Sequence, residues 1–206
     1  MSLDHQTFIL SPDGHYRVVA GDELWVFAYG SLMWHPGFAF LECCQGRLIG
    51  YHRAFCVYSY HYRGTPEQPG LVLGLDVGGE CEGIAFRIAA DEVATTLEHL
   101  WRREMISNVY RPLPLMVRLA PDGREITACA FVVDRDHIQY CSGLNLEQAA
   151  AVIRCGHGHG GANLDYLNNT VEHLDQLGIT DPSLHDLLAE ASRSPHPPYL
   201  HSCPHS

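Results

Sequence analysis

The sequence predicts an α+β domain built around a mixed or largely antiparallel sheet, open to partial closure into a barrel. Three observations carry this. Short runs of aromatic and β-branched residues dominate the chain as far as Val133. Segments with helical period are inserted once, from Asp91, and then trail from Leu146 onward. Clusters of Gly, Pro, Asn and Asp punctuate the boundaries. Strands first, with helices inserted or trailing, is the order of an α+β fold rather than of a parallel α/β sheet.

Leu24 to Tyr29 is a short apolar, aromatic run ended by Gly30-Ser31, and reads as a buried strand feeding a loop. Arg47 to Tyr60 reads as one long strand or two, and Tyr62 to Gly70 is turn chemistry throughout. Leu71 to Val77 and Glu82 to Ile88 read as two strands joined through Gly78-Gly79 as a hairpin. Val109 to Leu119 and Ile126 to Val133 form a second expected hairpin, closed by Pro121-Asp122-Gly123. Helices are expected over Asp91–Met105, Leu146–Cys155, Ala162–Leu177 and Pro182–Ala191. Asn145 followed three residues later by Gln148 is a capping-box start for the second. Gly178 stops the third, and Asp181 caps the fourth with Pro182 at its first position. The organisation expected is an N-terminal extension over 1–22, one domain over 23–192, and a Pro- and His-rich disordered tail over 193–206.

Composition bounds the function. The chain has 206 residues, enough to bury a real core, with 46% hydrophobic and 18% charged residues. Its formal net charge of -11 argues against nucleic acid or an anionic membrane as partner, since both call for a basic patch. Met1 to Pro12 lacks the basic start and apolar run of an export signal, and no stretch approaches the roughly 20 apolar residues of a membrane span. The eight cysteines form no C-x-x-C pair and sit mostly in apolar runs, as core thiols do in a reducing compartment. A cytoplasmic protein is expected, with its oligomeric state open and a monomer as the default.

Three features could carry chemistry. On the helix from Asp91, the residues Val93, Leu97, Leu100 and Trp101 share one stripe, and Glu104 falls near its centre while Arg102 and Arg103 point elsewhere. A carboxylate there is either paired or kept for a site. The plainer alternatives are a helix that frays at Glu104, or a pairing with Arg111 or Arg118. Second, the strand running into Tyr29-Gly30-Ser31-Leu32 can present backbone N–H groups to an anion or a carbonyl oxygen. Its surroundings do not fit G-x-S-x-G, so Ser31 is not read as a hydrolase nucleophile. Third, Gly156-His157-Gly158-His159-Gly160-Gly161 satisfies G-x-G-x-x-G yet lies between two helices, so it reads as a flexible helix–helix turn. Two histidines at that spacing do not make a metal site, and none is expected.

Taken together and in order, these segments resemble the ChaC-like γ-glutamylcyclotransferases. The likeness runs from Trp25-Val26-Phe27-Ala28-Tyr29-Gly30-Ser31-Leu32-Met33-Trp34 through Tyr62-Arg63-Gly64-Thr65-Pro66 and Trp101-Arg102-Arg103-Glu104-Met105. It continues over Tyr110-Arg111-Pro112 and ends with Gly160-Gly161-Ala162-Asn163-Leu164-Asp165-Tyr166-Leu167. Each segment alone is weak; the ordered set, spanning most of the chain, is specific. One departure is Ala28, where family members often carry glycine. The resemblance implies a single domain with a small mixed β-barrel flanked by helices. It implies a cofactor-free activity that releases 5-oxoproline and cysteinylglycine from glutathione, with Glu104 as the catalytic carboxylate. It maps the substrate loop onto Ala28 to Met33, with Tyr29, Gly30, Ser31, Leu32 and Met33 as expected substrate-binding residues. Tyr110 and Tyr166 are expected to hydrogen-bond the substrate and Arg63 to meet its carboxylates, with packing or surface pairing as their alternative. Other γ-glutamyl amino acids or amines as substrates, or a non-catalytic γ-glutamyl-binding module, stay open at this point.

Overall fold

Two long strands, β4 (Glu42–Ser59) and β5 (Gly70–Ile88), carry the architecture. The structure, a computed structural model, describes residues 8–10, 16–18, 23–104 and 107–193. A short antiparallel pair, β1 (Phe8–Leu10) and β2 (Tyr16–Val18), precedes the main sheet. Then come β3 (Leu24–Ala28), the β4–β5 pair, helix α1 (Val93–Glu104), and the hairpin of β6 (Tyr110–Leu119) and β7 (Glu125–Val133). The strands close into a barrel in the order β3-β5-β4-β6-β7. Neighbours are antiparallel except where β7 returns to β3, parallel, with Val26 opposite Cys129. The expected mixed barrel is the observed one.

The barrel explains a misread segment. Gly78 and Gly79, both at positive φ, do not turn the chain back on itself. β5 runs straight through them and pairs with β4 along its whole length. Ile49 faces Glu80 and Tyr51 faces Val77, so two residues of β5 oppose the single Gly50 of β4. This is a β-bulge, which bends a strand enough to curve around a barrel. Hairpin turns and bulges both recruit glycines at positive φ, which is why Gly-Gly alone could not separate them.

The remaining elements are α2 (Leu146–Cys155), the two-residue strands β8 (His157–Gly158) and β9 (Gly161–Ala162), α3 (Asn163–Gln176) and α4 (Pro182–Ala191). Their starts are as local chemistry dictates: Asn145 and Gln148 exchange capping bonds at 2.9 and 3.0 Å, and Asp181 accepts from Leu184 N–H at 3.2 Å. Gly178, at φ 71°, ends α3. Ile153, Leu167, Leu174 and Leu184 from these helices are buried together with Phe27, Leu71 and Ile88 of the barrel. Burying each such side chain stabilises the fold by about 1.5–3 kcal/mol. No helix among the described residues is long and apolar enough to cross a membrane. The expected tail lies outside the described residues except for Arg193, which bonds Glu190.

The run Gly156 to Gly161 is an ordered clasp and not a flexible turn. His159 and Gly160 donate their N–H groups to the carbonyls of His61 and Tyr62, each at 2.8 Å. A Cβ on Gly158 would lie 2.5 Å from the His61 carbonyl oxygen, so only glycine permits the approach. The G-x-G-x-x-G spacing thus serves backbone-to-backbone packing of the Tyr62-Arg63 segment.

Candidate active site

α1 follows a 3₁₀ turn at Ala90–Glu92 and presents Val93, Thr96 and Leu100 to the interior, fully or almost fully buried. Leu97 is half-buried, and Trp101, on the margin of the stripe, stays 39% exposed with its ring edge-on to Phe131. One turn beyond Leu100, as the helix ends, the same stripe delivers Glu104 into the wall of a cavity. Neither alternative pairing occurs: Arg111 holds Asp134 at 2.8 Å and Arg118 holds Glu125 at 2.9 Å.

The cavity has two chambers. The outer one, about 670 Å³, is lined by Tyr58, Tyr60, Tyr62, Arg63, Arg102, Arg103, Tyr110 and Tyr166 among others. The inner one, about 70 Å³, is lined by Phe27, Tyr29, Gly30, Leu32, Leu73 and Phe131. Ser31, Glu104, Tyr110 and Tyr166 belong to both walls, so they mark the passage between the chambers. Glu104 is the one carboxylate among the described residues lining either chamber. Its side chain is only 18% exposed, and burial pushes its pKa above the usual carboxylate range, against the opposing pull of the Arg103 guanidinium.

The loop leaving β3 lines the same inner chamber as Glu104. Ser31–Met33 forms a single 3₁₀ turn in which Met33 N–H bonds Gly30 O at 2.8 Å. As at any helix start, the leading N–H groups, those of Ser31 and Leu32, have no acceptor within the turn. The structure separates the five loop residues. Tyr29, Gly30, Ser31 and Leu32 reach the inner chamber, whereas Met33 is buried in the core and lines neither chamber.

The other expected residues also converge. Tyr110 lines both chambers and donates its hydroxyl to Leu73 O at 2.6 Å; Tyr29 donates to Phe131 O at 2.9 Å. Burial holds both phenols well above their ordinary pKa, and it pushes Tyr166 up to about 12. Arg63 lines the outer chamber, but its guanidinium is already engaged. It bonds the Gly160 and Ala162 carbonyls and lies 5.0 Å above the Tyr166 ring. Its visible work is to anchor the clasp and Tyr166.

Arg103 is the residue that sequence reasoning missed. Instead of pointing elsewhere, it donates to Ser31 Oγ and to His35 O, each at 2.7 Å, while its Nε sits 3.4 Å from Glu104 Oε1. One guanidinium therefore ties the loop after β3 to the end of α1. Its place beside Glu104 in sequence was the available signal; helical period hid it, because a long side chain at a helix end can swing across a full turn.

Comparison with known proteins follows the same lines. A sequence model described as ChaC-like protein matches residues 24–194. A curated relative from Escherichia coli K12, named glutathione-specific gamma-glutamylcyclotransferase, is 39% identical over 170 residues, covering 82% of this chain and 73% of the relative. Gamma-glutamylcyclotransferase 2-3 of Arabidopsis thaliana is 34% identical over 171 residues, covering 80% of this chain and 86% of its own. In fold, the chain is similar to a crystal structure of a glutathione-specific cyclotransferase from yeast, with a TM-score of 0.75 at 22% identity, over 82% of this chain and 96% of that one. The family match takes in the loop after β3, the end of α1 and the clasp alike, and by it the chain belongs to the ChaC-like family.

Proposed function

We propose that this protein is a glutathione-specific γ-glutamylcyclotransferase that releases 5-oxoproline and cysteinylglycine. The observation that carries the reading is a cavity wall shared by a single raised-pKa carboxylate, Glu104, and the N-terminal end of the Ser31–Met33 turn.

The reaction is an intramolecular aminolysis. The α-amine of the γ-glutamyl group attacks its own γ-carbonyl, closing a five-membered ring; the amide C–N bond to cysteine then breaks. The nucleophile belongs to the substrate, so the scheme calls for no catalytic triad, metal or cofactor. Curling the γ-glutamyl chain in the inner chamber supplies proximity, worth up to about 7–11 kcal/mol in favourable systems. Glu104 takes the proton the amine loses on attack and returns it to the departing cysteinyl amine. The Ser31 and Leu32 N–H groups receive the charge developing on the γ-carbonyl oxygen. The outer chamber takes the cysteinylglycine portion, its carboxylate near Arg63, Arg102 and Arg103. We place the activity in the cytoplasm; the seven described cysteines, all free thiols, suit a reducing compartment.

Incubation with reduced glutathione, without added metal or nucleotide, should yield 5-oxoproline and cysteinylglycine in equal amounts by mass spectrometry. γ-Glutamyl-alanine offered alongside should turn over far more slowly. Equal rates would replace glutathione specificity by general γ-glutamyl cyclisation, and no 5-oxoproline from either would overturn the assignment.

A further inference from the structure

We infer that Arg53, clamped by Asp181, is a positioning residue that sets the path of the substrate loop as it leaves the barrel; this rests on the function proposed above. Arg53 lies on β4 opposite Leu75 of β5, with only 2% of its side chain exposed. It lines neither chamber. Its three nitrogens reach three different parts of the chain. Nε donates to the Tyr29 carbonyl, Nη2 to the Glu82 carbonyl at 2.6 Å, and Nη1 to Asp181 Oδ2 at 2.9 Å.

The two carbonyls sit where β3 and β5 part company. The ladder between these strands ends at Ala28 opposite Ile84; Tyr29 is the first residue of β3's continuation past that rung, and Glu82 lies two residues beyond it on β5. The strands are pressed together there: a Cβ on Gly83 would lie 2.2 Å from Ala28 O. A planar guanidinium inserted beyond the rung fixes the Tyr29 carbonyl, and with it the direction in which Gly30, Ser31 and Leu32 proceed. Lysine could not do the same, since an ammonium lacks the rigid, divergent donors.

A buried guanidinium needs a compensating charge, and Asp181 supplies it. The same carboxylate caps α4 through its other oxygen, Oδ1, which accepts from Leu184 N–H. The start of the C-terminal helix and the substrate loop are thereby joined through one side chain, although α4 lies far from the cavity in sequence. Because the Ser31 and Leu32 N–H groups act on charge that exists only during reaction, a shifted loop lowers kcat more than it raises KM.

Arg53→Lys and Asp181→Asn test this, assayed for 5-oxoproline release at a temperature well below the unfolding of every variant. Asn caps helices as well as Asp does, so Asp181→Asn keeps the α4 cap while turning an amide donor toward Arg53. Both variants should unfold cooperatively, lose about 10- to 100-fold in kcat and keep KM within about threefold. Folded variants with wild-type kcat would overturn the inference. So would losses that vanish on cooling, which mark a purely structural role. Asp181→Asn decides the matter if Arg53→Lys does not fold. Wild-type protein run in parallel keeps the questions apart: an inactive wild type overturns the function and this inference together, whereas an active wild type with unaltered variants overturns this inference alone.

Discussion

Glu104→Gln separates catalysis from structure, because the two pull in opposite directions at this position. The substitution keeps shape and hydrogen-bonding capacity and removes only the titrating proton. The two other ionisable groups shared by both chambers cannot take over at neutral pH, since Tyr110 is held well above its ordinary pKa and Tyr166 is pushed up to about 12; His61 lines only the outer chamber. General acid–base catalysis contributes about 10²–10⁴-fold, or roughly 3–5 kcal/mol of barrier, so 5-oxoproline release should fall at least about a hundredfold. Stability should move the other way. A carboxyl whose folded pKa is raised favours the fold below its unfolded pKa, and that advantage is lost as pH rises through the folded pKa. Above the unfolded pKa wild type therefore carries the cost of a carboxyl that resists ionisation in the fold, and the glutamine variant does not. Thermal melts should put Glu104→Gln at or above wild type at pH 8, with the gap closing toward pH 4. A variant that releases 5-oxoproline at near-normal rate removes Glu104 from the mechanism. A variant that melts lower than wild type only at neutral pH would mean that the Arg103 pair, and not burial, dominates this carboxylate, and the reasoning from burial fails.

Arg103→Ala removes the cation that holds Glu104 down against burial, so the acid limb of the kcat/KM profile should move to higher pH; an unmoved limb would show that Arg103 does not act on Glu104. Asn163→Ala should destabilise the protein by about 2–6 kcal/mol in urea unfolding. Its buried amide accepts from Leu71 N–H at 2.6 Å and donates to Leu71 O at 2.7 Å, and each orphaned partner costs about 1–3 kcal/mol.

What the sequence disclosed was what short-range periodicity and local chemistry control. The period of α1 placed Glu104 on the inward stripe, the aromatic run before Gly30 located the loop, and the caps at Asn145 and Asp181 followed from side chains within three residues of their targets. Long-range decisions were not legible. Whether Gly78-Gly79 turns or bulges depends on the register with Gly50, set by barrel closure. Arg53 reads as one more polar residue in a strand, because its partner Asp181 is 128 positions away. The clasp at Gly156–Gly161 matched a nucleotide-binding pattern because both uses need backbone to come close, to a phosphate in one case and to Tyr62 in the other.

The arrangement around Glu104 also explains why the carboxylate needs a mixed environment. A shuttle that takes a proton from one amine and returns it to another works best with a pKa near the working pH. Burial pushes the Glu104 pKa up, and a close bidentate arginine would pull it strongly down. Arg103 pulls more weakly than that. Two of its nitrogens are spent on Ser31 and His35, leaving only Nε near the carboxylate, at 3.4 Å. The bonds that steady the loop after β3 thus also limit how strongly the cation can grip the carboxylate, and one side chain both holds that loop and tempers the effect of burial on Glu104.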